Sequence, residues 1–268
     1  MRAAEAASIS TRSMKTSMER LSTGKRINSA SDDAAGVAIS SRLSAEIRGT
    51  NQSVRNALDG QALVATAEGA HKEVENILQR MRELAVQASS GVANSTDKDY
   101  LNLEMKQLVS QVDAISVNTK FNDQQVLTGG AFTFYTDIDV AGTAITTTVA
   151  DTAASALGVT NLAMSIGGAT DLTAAGIPAV VTKIDTALAT VDNRRAALGA
   201  ISNRFDHIID NLQNVVMNTV QSKSRIVDAD FSVETTNLTR NTVLQQAATS
   251  MLAQANAQKN SILALIQQ

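Results

Sequence analysis

The chain has 268 residues, 44% of them hydrophobic but only 3% aromatic, with no Trp, no Cys and one proline, Pro178. That inventory excludes disulfides and thiolate metal sites, and it suits closely packed helices built from Ala, Leu, Val, Ile and Met. A net charge of -3 at pH 7 speaks against a general binder of nucleic acid or anionic membrane, no apolar run is long enough for a membrane span, and no secretory signal is visible.

In chain order, the first informative stretch is ERLSTGKRINSASDDAAG, residues 19–36. A helix-like run ends at Ser22-Thr23-Gly24, two cations follow, and Asp32-Asp33 arrive just ahead of AAGVAISSRL. It is not a phosphate-binding P-loop: Glu19 stands where the first glycine is needed, and Lys25 is followed by Arg26 rather than a hydroxyl. Adjacent carboxylates point to different helix faces, so Asp32 and Asp33 are expected to offset the dipole at a helix start rather than to act as a catalytic pair.

Residues 54–88 carry a helical stripe through Val54, Leu58, Ala65, Ile77, Met81 and Leu84. A second stripe, Leu101, Met105, Leu108, Val112 and Ile115, predicts a one-sided helix over 98–118. Between Ala131 and Thr182 there is no Lys or Arg, and Thr, Ala and Gly dominate. Within it, FTFYTDI (132–138) and AITTTV (144–149) alternate and predict a β-hairpin. The longest seam lies in 179–227: Ile184, Leu188, Val191, Leu198, Phe205, Ile209, Leu212, Val216 and Ile226 follow one heptad. A helix of that extent, on the order of 70 Å, belongs to rods and coiled coils.

The last stretch, residues 241–268, holds one charge, Lys259, among many Gln and Asn. Leu244, Ala248, Met251, Ala255, Ile262 and Leu265 continue a heptad, broken at Gln258. A solvent-facing helix carries charges on its outer face, so this one is expected to meet other protein on both faces. Leu244, Met251, Ile262 and Leu265 form the expected assembly seam. The fold class that follows is mainly α, an elongated helical rod or coiled-coil bundle with a small β-hairpin insert.

An active site needs convergent reactive groups, and the chain offers none. His71 and His207 each sit in a charged, helix-like stretch and are expected at the surface. No HExxH, GxSxG or EF-hand loop occurs, so no enzyme, metal or cofactor is expected.

With ERLSTGKRINSASDDAAGVAIS, LQRMRELAVQASSG, NTKFNDQQVL, RAALGAISNRF and RIVDADFSVETTNLTRNTVLQQAATSMLAQANAQ in family order, the chain resembles the bacterial flagellins across roughly residues 14–130 and 180–268. The resemblance implies a structural subunit of the extracellular flagellar filament, exported unfolded by the flagellar type III apparatus without a cleaved signal. It implies an inner coiled-coil domain from paired ends, residues 1–31 and 229–268, and a helical rod domain, 32–228, that includes the 131–182 insert. By the same resemblance, a chain opening at MRAAEAASIS is expected to have a shortened N-terminal helix relative to the family. Gly24 to Asp33 becomes a connector with residues 228–232 beside it. The implied partners are other flagellin subunits, an export chaperone, a filament cap and the host Toll-like receptor for flagellin. The receptor patch would match Gln79, Arg80, Glu83, Leu84, Gln87 and Glu104. The alternative is a cell-surface or secreted binding protein on the same scaffold, an adhesin for a polysaccharide or host receptor. Its site would lie among the insert carboxylates Asp137, Asp139, Asp151 and Asp171, for which a solvated acidic loop is the simpler account.

Overall fold

The computed structural model describes residues 2–90, 92–136, 144–160 and 176–266, without the side chains of residues 2, 3, 256 and 259–266. In chain order come α1 (Arg2–Thr23), α2 (Ala34–Ala88), α3 (Ser95–Asn118), β1 (Lys120–Phe121), β2 (Gln124–Gln125), β3 (Ala131–Tyr135), β4 (Ala144–Thr148), α4 (Ile177–Val227) and α5 (Phe231–Ile266). The chain divides into two compact units, Met1–Arg48 with Val216–Gln268, and Gly49–Val215.

The second unit owes its core to a heptad on α2. The buried positions Thr50, Ser53, Ala57, Val64, Ala67, His71, Val74, Leu78, Met81, Ala85 and Ala88, with Gly60 among them, recur at spacings of three and four. This corrects the stripe expected from apolar residues alone, because Leu58 is 47% exposed and Ala65 is also exposed. The reason is size. The true seam is rich in Ala, Gly, Ser and Thr, which let neighbouring helices approach closely, and counting large apolar side chains passes over them. At Gly60 an added Cβ would lie 2.6 Å from the Phe205 ring and 3.1 Å from Phe134. Those two rings meet edge to face there, with centroids 5.8 Å apart.

Two apolar clusters fill this unit. One gathers Val74, Leu78, Met81 and Leu84 of α2, Met105, Val109 and Val112 of α3, and Val180, Ile184, Ala187 and Val191 of α4. The buried line on α3 is Asn102, Met105, Val109, Val112 and Ser116; of the expected stripe, Met105 and Val112 belong to it and Leu101, Leu108 and Ile115 are half-buried at its border. The other cluster joins Ala57, Val64 and Ala67 to Val126, Leu127, Ile145, Val149, Leu198, Phe205 and Ile209. β3 and β4 form the expected antiparallel hairpin, with Phe134 opposite Ile145. Its alternation puts Ile145, Thr147 and Val149 inside. A second, smaller hairpin pairs β1 with β2, turning through Asn122 and Asp123 at φ 49° and 61°. Both positive values define a primed turn, which Asn and Asp tolerate.

The α4 seam is buried as expected at Ile184, Val191, Leu198, Phe205 and Ile209. Leu188 is half-buried against the first cluster, and Leu212, Val216 and Ile226 are half-buried too. His71 departs from the expectation of a surface residue: it is wholly buried, whereas His207 is exposed. Its heptad position on α2 carries it inward, and its Nδ1 hydrogen-bonds the Ala67 carbonyl at 2.9 Å.

The first unit pairs α1 with α5 and includes the turns between α1 and α2 and between α4 and α5.

Candidate functional site

Helices α1 and α5 lie side by side with a seam that is largely polar. On α1, Ser10 and Ser17 are buried while Ala7, Met14 and Leu21 are half-buried, again at spacings of three and four. On α5, Glu234 is 6% exposed, and Leu238, Asn241, Gln245, Ala248 and Leu252 follow half-buried at the same spacing. Ser17 Oγ donates to Glu234 Oε2 at 3.0 Å, and Arg20 donates to Oε1 at 2.8 Å. The Arg20 hydrogen bond, against the opposing effect of burial, holds the Glu234 carboxyl below the usual range, with Ser17 and Asn237 assisting. Farther along, Gln245 donates to Thr11 Oγ1 at 3.2 Å and Thr242 approaches the Met14 sulfur at 3.8 Å. Counting apolar heptads missed this polar seam. The signal was present, because Ser10, Met14, Ser17 and Leu21 keep the heptad once Ser is allowed a seam position.

Of the residues expected to form the assembly seam, Leu244 and Met251 lie elsewhere on α5. Leu244 is 49% exposed and Met251 is 65% exposed, while the side chains of Ile262 and Leu265 lie outside the described ones. Ile9, Met18, Phe231, Val233 and Val243 are exposed on the same helix pair. A single chain thus leaves a broad set of large apolar side chains in water, and such surfaces mark contacts with other protein.

The stretch from Gly24 to Asp33 connects α1 to α2. α1 stops where Gly24 takes φ 68°, the left-handed conformation that ends helices. Lys25 then bridges Asp228 in antiparallel fashion. Arg26 N donates to the Val227 carbonyl at 2.6 Å, Ala229 N donates to Gly24 O at 3.0 Å, and the Arg26 guanidinium reaches the Ile226 carbonyl. The carboxylates have separate tasks. Asp32 accepts from the Ser29 and Asn28 amides, which in that order hold its carboxyl below the usual range. Asp33 accepts from Gly36 N at 2.9 Å and caps α2, and Asp230 accepts from Ser232 N at 2.8 Å and caps α5. Asp228 accepts from Ser224 Oγ.

On α2, Gln79, Arg80, Glu83 and Gln87 are exposed. Arg80 pairs with Glu83 at 3.0 Å and with Glu104 of α3 at 2.9 Å. Leu84 is 1% exposed and packs in the first apolar cluster. Of the insert carboxylates, Asp151 accepts from Ala153 N, and Asp137, Asp139 and Asp171 lie outside the described residues. Among the described residues no cluster of three or more His, Cys, Asp or Glu could hold a metal, and no helix is long and apolar enough to cross a membrane.

Comparison with known proteins gives a consistent result. The family model of the bacterial flagellin N-terminal helical region matches residues 1–131, and that of the C-terminal helical region matches residues 181–266. The chain is 42% identical to a flagellin of Halalkalibacterium halodurans over 250 residues, spanning 93% of this chain and 90% of the relative. It is 37% identical to a flagellin of Bacillus subtilis over 280 residues, spanning 93% and 91%. A structure described as a putative flagellar hook-associated protein of Vibrio parahaemolyticus shares the fold at TM-score 0.63 and 15% identity, covering 74% of this chain and 100% of that one.

Proposed function

The chain belongs to the bacterial flagellins, structural subunits of the extracellular flagellar filament, and from that premise we propose how it assembles. Residues 1–31 and 229–268 act as an inner assembly domain and residues 32–228 as the rod. Neighbouring copies cover the apolar residues that the α1–α5 pair leaves in water. The observation that carries this is the exposure of Leu244 and Met251 together with Ile9, Met18 and Val243. Ile262 and Leu265 extend the same seam by their spacing. Each large side chain covered contributes about 1.5 to 3 kcal/mol, repeated at every subunit contact. Because Leu244 and Met251 are not needed to pair α1 with α5, Leu244→Lys with Met251→Lys should fold as the parent does and fail to form filaments in electron micrographs. Filaments of parental abundance would overturn the proposal.

Export through the flagellar type III apparatus, an export chaperone and a filament cap belong to the same proposal and rest on family membership. No comparison supports the adhesin alternative. For the host Toll-like receptor, the surface we propose is Gln79, Arg80, Glu83, Gln87 and Glu104, with Leu84 supporting it from the core. Arg80 already holds two carboxylates in place, and a positioned guanidinium is a frequent interface anchor. Monomeric Arg80→Ala should bind the receptor at least about 2 kcal/mol more weakly than the parent. Unchanged binding would leave these residues as ordinary rod surface.

A further inference from the structure

Within the second unit the apolar core is interrupted at one level. On α2 the cluster that contains Ala67 gives way to the one that contains Val74, and on α4 the cluster of Val191 gives way to that of Leu198. The two changes meet, because Arg195 of α4 pairs with Glu75 and, at 3.7 Å, with Glu68, and because His71, Val149, Arg194 and Leu198 line one cleft. A polar layer therefore separates the two clusters. Arg194, Arg195 and Glu75 in it are half-buried, whereas His71 is wholly buried.

A carbonyl accepts and never donates, so the 2.9 Å contact of Nδ1 with the Ala67 carbonyl puts the ring proton on Nδ1 and leaves Nε2 a bare acceptor. Nε2 is buried and has no hydrogen-bond partner among the described residues. The charged groups described around it offer no acceptor for a second ring proton. On α2, Glu68 and Glu75 are engaged by Arg195, and Lys72 and Glu73 are exposed. On α4, Arg194 and Arg195 repel a charged ring, and Asp192 is exposed. β4 carries no charge; after it Asp151 accepts from Ala153 N, and Asp113 of α3 accepts from Ala154 N.

We infer that His71 is an acid-sensitive latch in the rod: its Nε2 takes up a proton when the polar layer opens between α2 and α4, and the charged ring then opposes closing. Closing would bury a cation without an acceptor beside two guanidinium groups, which is strongly unfavourable. Burial chiefly, then Arg194 and Arg195, keeps the closed ring neutral below its ordinary value of 6.5, against the Ala67 hydrogen bond. The sign with pH follows. Above 6.5 the ring is neutral whether the layer is open or closed, and the latch holds fully. As pH falls below that value, the open form binds a proton that the closed form refuses. Opening then grows by up to about tenfold per pH unit, until the closed ring's own lower value is reached. Glu234 acts in a lower window, below 4.5, so the two effects separate. The latch belongs to the single subunit and does not depend on how copies assemble.

The experiment uses the monomeric full-length chain, whose two histidines are His71 and the exposed His207. Nitrogen-15 spectra of the rings should show neutral His71 with its proton on Nδ1, titrating below pH 6.5. Amide hydrogen exchange, corrected for its intrinsic pH dependence, should quicken several-fold from pH 7.5 to pH 5.5 in residues 67–75 and 191–198, and less in residues 78–85. His71→Leu removes the titrating atom and should abolish that acceleration, while His207→Gln should retain it. A His71 ring protonated at Nε2 in its neutral form, or titrating at 6.5 or above, overturns the inference on the parent protein, whatever the stability of the variants. Exchange that ignores pH in the parent, or quickens equally in residues 78–85, overturns it too. So does acceleration that persists in a folded His71→Leu chain.

Discussion

Glu234 concentrates the chemistry of the α1–α5 seam in one side chain. It is 6% exposed and receives hydrogen bonds from Ser17 and Arg20, two residues more than two hundred positions away in sequence. Glu234→Ala leaves Arg20 and Ser17 without their acceptor and should cost the helix pair about 1.5 to 3 kcal/mol. The sign with pH follows from the lowered carboxyl. Its stabilising contribution is complete above the ordinary value of 4.5 and is lost as pH falls through the lower folded value. Circular dichroism during acid titration should show the parent losing helix in that window. Glu234→Gln should start less stable and lack this component of the pH dependence; an identical acid profile for the two would show that the carboxylate contributes nothing to pairing.

At the scale of one helix, α2 shows how a seam is chosen. Leu58 and Leu78 are the same residue type on the same helix, yet Leu58 is 47% exposed and Leu78 is fully buried between α3 and α4. Leu78→Ala should cost about 2 to 5 kcal/mol, while Leu58→Ala should stay within about 0.5 kcal/mol. Thermal melts of the two variants decide it, and equal losses would mean the α2 heptad is misplaced. On α4, Leu212 is half-buried and outside both clusters, so it is a weaker site for truncation than Phe205. The surface pairs Arg82–Asp185 and Arg80–Glu104 add little beside this packing, because exposed ion pairs contribute about 0 to 1 kcal/mol.

For the whole molecule, the question is whether folding and assembly use the same residues. Gly49–Val215 has both apolar clusters to itself, and the first unit relies on a narrow polar seam between α1 and α5. A chain ending after Asp230 should therefore keep a melting transition of the rod and lose polymerisation. Filaments from the truncated chain would sink the division of labour. Loss of the rod transition would show that the two units do not fold independently.

Sequence alone determined the fold class, the two long central helices and the β3–β4 hairpin, because each rests on local periodicity. The flagellin motifs determined the family. Which face of α2 is buried was decided by tertiary packing: close approach of α3, α4 and the Phe134–Phe205 pair favours Ala57, Gly60 and Ala67, whose small size makes them faint in any hydrophobicity pattern. The same holds for His71, buried by its helical phase against the charge of its neighbours in sequence, and for Glu234, whose partners come from the other end of the chain. Periodicity can place a residue on a helix face, but only the contacts made across hundreds of residues decide which face meets protein and which meets water.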